Sequence, residues 1–93
     1  MTRKVQLFTL GRTVATRGAR EVMDRLGINP ADLLDRHASG DWGDLGEADK
    51  HENKYSPSRN LRILSVYTFG TEQLWVITEA DRSVTTILLP SEY

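Results

Sequence analysis

Residues 61–90 run LRILSVYTFGTEQLWVITEADRSVTTILLP, and this stretch decides the fold. Apolar and β-branched residues alternate through 61–69, 73–79 and 84–89, the period of strands that bury their faces. The breaks at Gly70-Thr71-Glu72 and Ala80-Asp81-Arg82-Ser83 are too short for a crossover, so consecutive strands must be antiparallel. Pro90 ends the last strand. Leu61, Ile63, Tyr67 and Phe69 fall on one face of the first strand, and Arg62, Leu64, Val66 and Thr68 on the other. Trp75 and Ile77 alternate with Leu74 and Val76 in the same way. Both faces are apolar, the mark of a central strand and a pattern that admits a homodimer through the second face.

Upstream of this meander the pattern changes to helix. Asn29 is placed to accept from the free amides of a helix start, Pro30 suits the first helical position, and Asp32 complements the positive helix end. That helix carries Ala31, Leu33, Leu34, His37 and Ala38 and stops at Gly40. An earlier helix starts after Thr16 and runs to Leu26, with Gly27 as its stop and Ala19, Val22, Met23 and Leu26 as its apolar stripe. A third begins at Asp44, with Glu47 at the capping-box spacing, and extends to about Tyr55. Ser56-Pro57-Ser58-Arg59-Asn60 is a loop. Residues 4–10 alternate as a first strand with Val5, Leu7 and Thr9 on one face; Gly11 turns the chain, and Thr13 to Ala15 extend the pairing. The expectation is a single α+β domain over 1–93: an N-terminal strand, two to three short helices, then a three-stranded antiparallel meander with the helices on one sheet face.

Composition narrows the function classes. The chain has 93 residues, 39% of them hydrophobic and 27% charged, which is the balance of a globular domain and not of a disordered one. It has no cysteine, which excludes disulfides, thiolate metal sites and cysteine nucleophiles. No apolar run approaches membrane-spanning length and no signal-peptide core follows Met1, so a cytoplasmic location without membrane association is expected. The net charge of −1 excludes a strongly basic nucleic-acid coat. Charge is nevertheless uneven. Residues 1–36 hold 7 basic and 4 acidic side chains, whereas residues 37–55 hold 2 and 5.

Two stretches carry chemically suggestive residues. In His37-Ala38-Ser39-Gly40-Asp41-Trp42-Gly43-Asp44, glycines frame an Asp-Trp pair between helices. One reading is a rigid binding loop in which Asp41, Trp42 and Asp44, continued by Glu47, Asp49 and Glu52, face a partner. The structural reading, which the residue types favour, makes Gly40 and Asp44 caps and Trp42 a plug over the core. His37 lies on the apolar face with Leu33 and Leu34, so it reads first as a hydrogen-bonded core histidine; as a base it would need a cleft and an orienting group such as Asp41. The second stretch, Thr78 to Thr86, places Glu79, Arg82 and hydroxyls around a turn, either an ordinary hairpin end or a phosphate or proton-transfer site. His37 and His51 lack metal-pair spacing, and the acidic residues lack a calcium-loop ladder, so no metal and no cofactor is expected.

Four blocks bear a resemblance: Thr16-Arg17-Gly18-Ala19, His37 to Leu45, Trp75 to Arg82, and Thr85 to Tyr93. Together they resemble a family of small proteins of bacterial plasmids and integrative elements, labelled "plasmid-related protein" or "type I restriction endonuclease subunit M". The family pattern prefers proline where this chain has Arg17. A methyltransferase assignment fails on size, because such an enzyme needs a cofactor-binding α/β domain and a base-flipping pocket. What the resemblance implies is a mobile-element accessory gene, with no catalytic residue carried over. Two functions follow as expectations. The first is a module that binds a host or element protein, in counter-defence or regulation. The second is a compact ribonuclease-like toxin using His37, Arg62, Glu79, Arg82 and Thr85, with RNA as its partner. The lack of a basic surface weighs against the second.

Overall fold

The computed structural model describes residues 6–51 and 61–93. Its strands are β1 (Arg12–Ala15), β2 (Ile63–Phe69), β3 (Glu72–Thr78) and β4 (Val84–Leu88), and its helices are α1 (Arg17–Leu26) and α2 (Pro30–Ala38). A short 3-10 turn, Pro90–Glu92, follows β4. The α+β class and the antiparallel meander are as the sequence implies. The sheet, however, has four strands in the order β1-β4-β3-β2, with β1 parallel to β4.

The first strand is the main correction. Of residues 4–10, residues 4 and 5 lie outside the described residues, and 6–10 form no strand. Pairing starts only at Arg12, whose amide donates to Ser83 O at 3.0 Å. The cause is the inward turn of Phe8, which is buried and packs edge-on against His37. Gly11 makes the join with φ 65°; a Cβ there would lie 2.3 Å from Arg82 O, so any other residue would force the strands apart.

Both helix starts follow from local chemistry. Thr16 Oγ1 accepts from Ala19 N at 3.2 Å, and Asn29 Oδ1 accepts from Ala31 N at 3.0 Å. Gly27 ends α1 in the left-handed conformation at φ 69°. Ala19, Val22 and Met23 meet Leu33, Tyr67, Leu74, Val76 and Ile87 in the core, whereas Leu26 stays 41% exposed. The third helix does not begin at Asp44. Helical residues start at Glu47, and Lys50 N bonds to Gly46 O. Its continuation to Tyr55, and the loop Ser56 to Asn60, lie outside the described residues.

Asp44 belongs to the sheet instead. Trp42 O accepts from Val66 N at 3.1 Å, Asp44 N donates to Val66 O at 2.6 Å, and Asp44 Oδ2 accepts from Thr68 N at 3.1 Å. The loop therefore closes the outer edge of β2. Gly43 makes this approach with φ 67°, and a Cβ on it would meet Val66 O at 2.1 Å. Gly43→Ala combines left-handed strain with a backbone clash. It is expected to lower unfolding free energy by about 2 kcal/mol or more in urea melts. A loss under about 0.5 kcal/mol would mean that the edge contact does not matter to stability.

Candidate functional site

The sheet register separates two faces. On the helix-covered face, Ile63, Ser65 and Tyr67 of β2 oppose Thr78, Val76 and Leu74 of β3, and Thr78 and Val76 oppose Thr85 and Ile87 of β4. Three of these inward side chains are hydroxyls, at Ser65, Thr78 and Thr85, and all three are buried. α2 delivers His37 among them. Its Nδ1 lies 2.5 Å from Ser65 Oγ and its Nε2 lies 2.9 Å from Thr78 Oγ1. Thr78 Oγ1 is 2.7 Å from Thr85 Oγ1, which donates to Leu10 O at 2.8 Å.

The direction of this chain fixes the histidine tautomer. The carbonyl of Leu10 can only accept, so Thr85 spends its one hydroxyl proton there and must accept from Thr78. Thr78 in turn accepts from His37 Nε2–H, which leaves Nδ1 to accept from Ser65. Every donor and acceptor on the ring is used by the neutral form. A proton on Nδ1 would require Ser65 to reverse and would leave a buried charge without a carboxylate among its bonded neighbours. Burial accordingly pushes the His37 pKa down from 6.5 to about 3.

Aromatic groups close the site. Phe8 stands edge-on to the imidazole with centroids 5.3 Å apart, and Trp42 meets the ring at 6.0 Å and stacks on Phe8 at 6.3 Å. Trp42 is half-buried, a lid over the histidine more than a plug within the core. Asp41 does not orient His37. Its carboxylate takes Arg36 Nε at 2.7 Å and Gly43 N at 3.1 Å, and its carbonyl accepts from Tyr67 Oη at 2.5 Å. Arg36 lies 4.3 Å over the Tyr67 ring, and burial raises the Tyr67 pKa to about 12.

The remaining candidates are dispersed. Thr85 joins the His37 chain. Glu79 follows inward-facing Thr78 and so turns to the second face, where it pairs with Arg62 at 3.1 Å. Arg62 also donates to Tyr93 Oη at 2.8 Å, and the Tyr93 ring lies 5.6 Å from that of Trp75. Arg82 holds the β3–β4 turn: φ is 62°, and Nη1 donates to the carbonyls of Leu61, Glu79 and Ala80 at 2.8–3.0 Å. The set expected for acid–base chemistry is thus split between the buried face, the second face and a turn. Of the expected binding residues, Asp41 and Asp44 brace the β2 edge, Glu47 and Asp49 are exposed, and Glu52 lies outside the described residues. No group of acidic or histidine side chains suited to a metal occurs among the described residues.

Sequence reasoning missed Glu92. Its carboxylate accepts from Thr16 Oγ1 at 2.5 Å, Leu89 N at 2.8 Å and Gly18 N at 3.3 Å, which joins the chain's last turn to the start of α1. The Thr16 hydroxyl bond, followed by the Leu89 amide, holds its pKa below the usual carboxylate range. It also missed Ser65 and Thr78 as the partners of His37. The available signal was three hydroxyls at inward positions of otherwise apolar strands. The chain matches no family model, no curated protein and no solved structure.

The buried histidine sets the acid response. Its native pKa of about 3 lies below its ordinary 6.5, so the unfolded chain binds the extra proton between these values. Its stabilising contribution is complete above pH 6.5 and falls as pH drops toward 3, by up to ~1.4 kcal/mol per pH unit. Urea melts at pH 7.5, 6 and 5 should show this slope, and it should persist in His51→Gln. A flat profile between pH 6.5 and 5 would contradict the buried neutral histidine.

Proposed function

We propose that the chain is a non-catalytic binding module that acts on a protein partner through the second face of its sheet. Two rows of side chains cross that side, Val66–Trp75–Leu88 and Leu64–Ile77–Thr86–Val14, but Val66, Ile77 and Leu88 are buried, so what this side exposes is its margin, at Val14, Arg62 and Tyr93. The observation that carries the reading is the cluster of Trp75, Tyr93 and Arg62 on this face. Tyr93 is 70% exposed although it packs on Trp75 and receives a hydrogen bond from Arg62. Tryptophan, tyrosine and arginine are the residues that most often dominate protein interfaces. The indole Nε1 of Trp75 is buried and has no hydrogen-bond partner among the described residues.

The resemblance to plasmid and integrative-element proteins supports placing this module in a bacterial mobile element, with a host or element protein as its target. The ribonuclease alternative is weaker on geometry. His37 has no solvent exposure and, among the described residues, no carboxylate partner, and Glu79 faces the other side of the sheet in an ion pair with Arg62. A general base must reach the proton that it abstracts.

Capture from bacterial host lysate, with and without RNase treatment, tests the reading. A protein partner is expected in both arms, with retention reduced at least tenfold by Tyr93→Ala and unchanged by Glu47→Gln. Recovery only through RNA, or RNA cleavage by purified protein that is lost in Glu79→Gln, would overturn it.

A further inference from the structure

The two edges of the sheet are treated differently. Trp42 to Asp44 close the β2 edge with two backbone hydrogen bonds and one from Thr68 N to the Asp44 carboxylate. At the other margin, among the described residues, β1 is bonded to β4 alone. Arg12 N donates to Ser83 O and Thr16 N to Ile87 O, so the even-numbered residues of this segment face β4. Strand alternation turns the N–H and C=O groups of Thr13 and Ala15 outward, and among the described residues nothing pairs with them. An outward row of this kind is a template for an added strand.

We propose that the free edge of β1 receives an extended segment of the protein partner, with an acidic residue beside Arg12 and an apolar residue beside Val14. This rests on the binding-module reading and specifies where and how the partner docks. Arg12 and Val14 both face the second side of the sheet, two residues apart. Val14 ends the row Leu64–Ile77–Thr86–Val14 and is 36% exposed, so an apolar residue on an added strand continues that row. Arg12 is exposed, and Arg17 and Arg20 follow on the first turn of α1, also exposed. Glu21 faces Arg17 at 3.5 Å, Asp24 lies in the same hollow as Arg17 and Arg20, and Glu92 is held by Thr16, Gly18 and Leu89; among the described residues no acidic side chain forms an ion pair with Arg12. A second copy is a poorer occupant, because a β1 edge offers Arg12 and no acidic residue among Arg12–Ala15 to answer it.

The probe is the octapeptide Thr-Val-Thr-Glu-Thr-Val-Thr-Glu, which sets valine and glutamate two apart on one face, against the same peptide with lysine in place of glutamate. Amide hydrogen exchange is read by NMR on the whole chain. The glutamate peptide is expected to slow exchange at Thr13 and Ala15, to bind at least tenfold more tightly than the lysine peptide, and to weaken as salt rises. Thr13→Pro removes one outward N–H at an edge position that tolerates proline, and should abolish this protection while the β2–β3 amides stay protected. Arg12→Glu, which leaves the backbone intact, should reverse the peptide preference.

Equal binding of both peptides, or protection that avoids Thr13 and Ala15, would overturn the proposal. So would protection that appears with protein concentration alone, which would make the occupant a second copy. Partner capture lost in Tyr93→Ala but unchanged in Thr13→Pro and Arg12→Glu would remove strand addition and leave the binding-module reading intact. RNA cleavage would remove that reading itself.

Discussion

A neutral imidazole buried among hydroxyls is the constraint on which this structure depends. His37 has no solvent exposure, and its two nitrogens tie α2 to β2 and β3. The chain continues through Thr78 and Thr85 to the carbonyl of Leu10, so one histidine orders four segments. Each hydroxyl has a single proton to give, and the direction of every bond follows from the carbonyl at the end. Such a network is satisfied only as a whole, since a missing member leaves a buried polar atom unpaired at a cost of about 1–3 kcal/mol. It therefore specifies how α2 sits on the sheet more sharply than apolar contacts would, because Leu33 can slide where His37 cannot.

The placement of the N-terminal segment follows from this network. Phe8 covers the imidazole, Leu7 N donates to Ala38 O at 2.8 Å, and the Leu10 carbonyl is held by Thr85. Residues 6–10 are thereby pulled across the end of the sheet, and β1 is left only four residues long. Trp42, stacked on Phe8, extends into the loop that closes the β2 edge. Core polarity, arm position and edge closure are one connected arrangement.

What the sequence disclosed follows the range of the interactions. The helix starts at Thr16 and Asn29 were legible because cap and amide are within three residues, and Gly27 because a left-handed stop is a local matter. The meander was legible from its alternation and its short turns. Position of the first strand was not, since nothing in Lys4 to Leu10 announces that Phe8 answers to a histidine 29 positions later. Asp44 had the right spacing for a cap, but its carboxylate is taken by an amide 24 residues away. Glu92 and Thr16 meet across 76 residues. For the candidate site, the core reading of His37 was legible from Leu33 and Leu34 on the same helix face. Its partners were not, because inward-facing serine and threonine look like ordinary strand residues until the register is known.

The polar network also bears on where function can reside. Side chains that sequence alone marks as candidates are recruited into stability: of the acid–base set, His37 and Thr85 in the core and Arg82 in the turn, and of the binding set, Asp41 and Asp44 at the β2 edge. A chain of 93 residues can bury only a small apolar core, and the buried polar links add to what that core holds together. What the second side of the sheet leaves exposed is its margin, since Val66, Ile77 and Leu88 between the edges are buried. There Tyr93, Arg62 and Val14 are exposed, and among the described residues nothing pairs with the outward backbone groups of Thr13 and Ala15. An edge closed through Gly43 at β2, with the β1 edge unpaired among the described residues, also limits the sheet to growth in a single direction. That suits an interaction of fixed stoichiometry and disfavours open-ended pairing between copies.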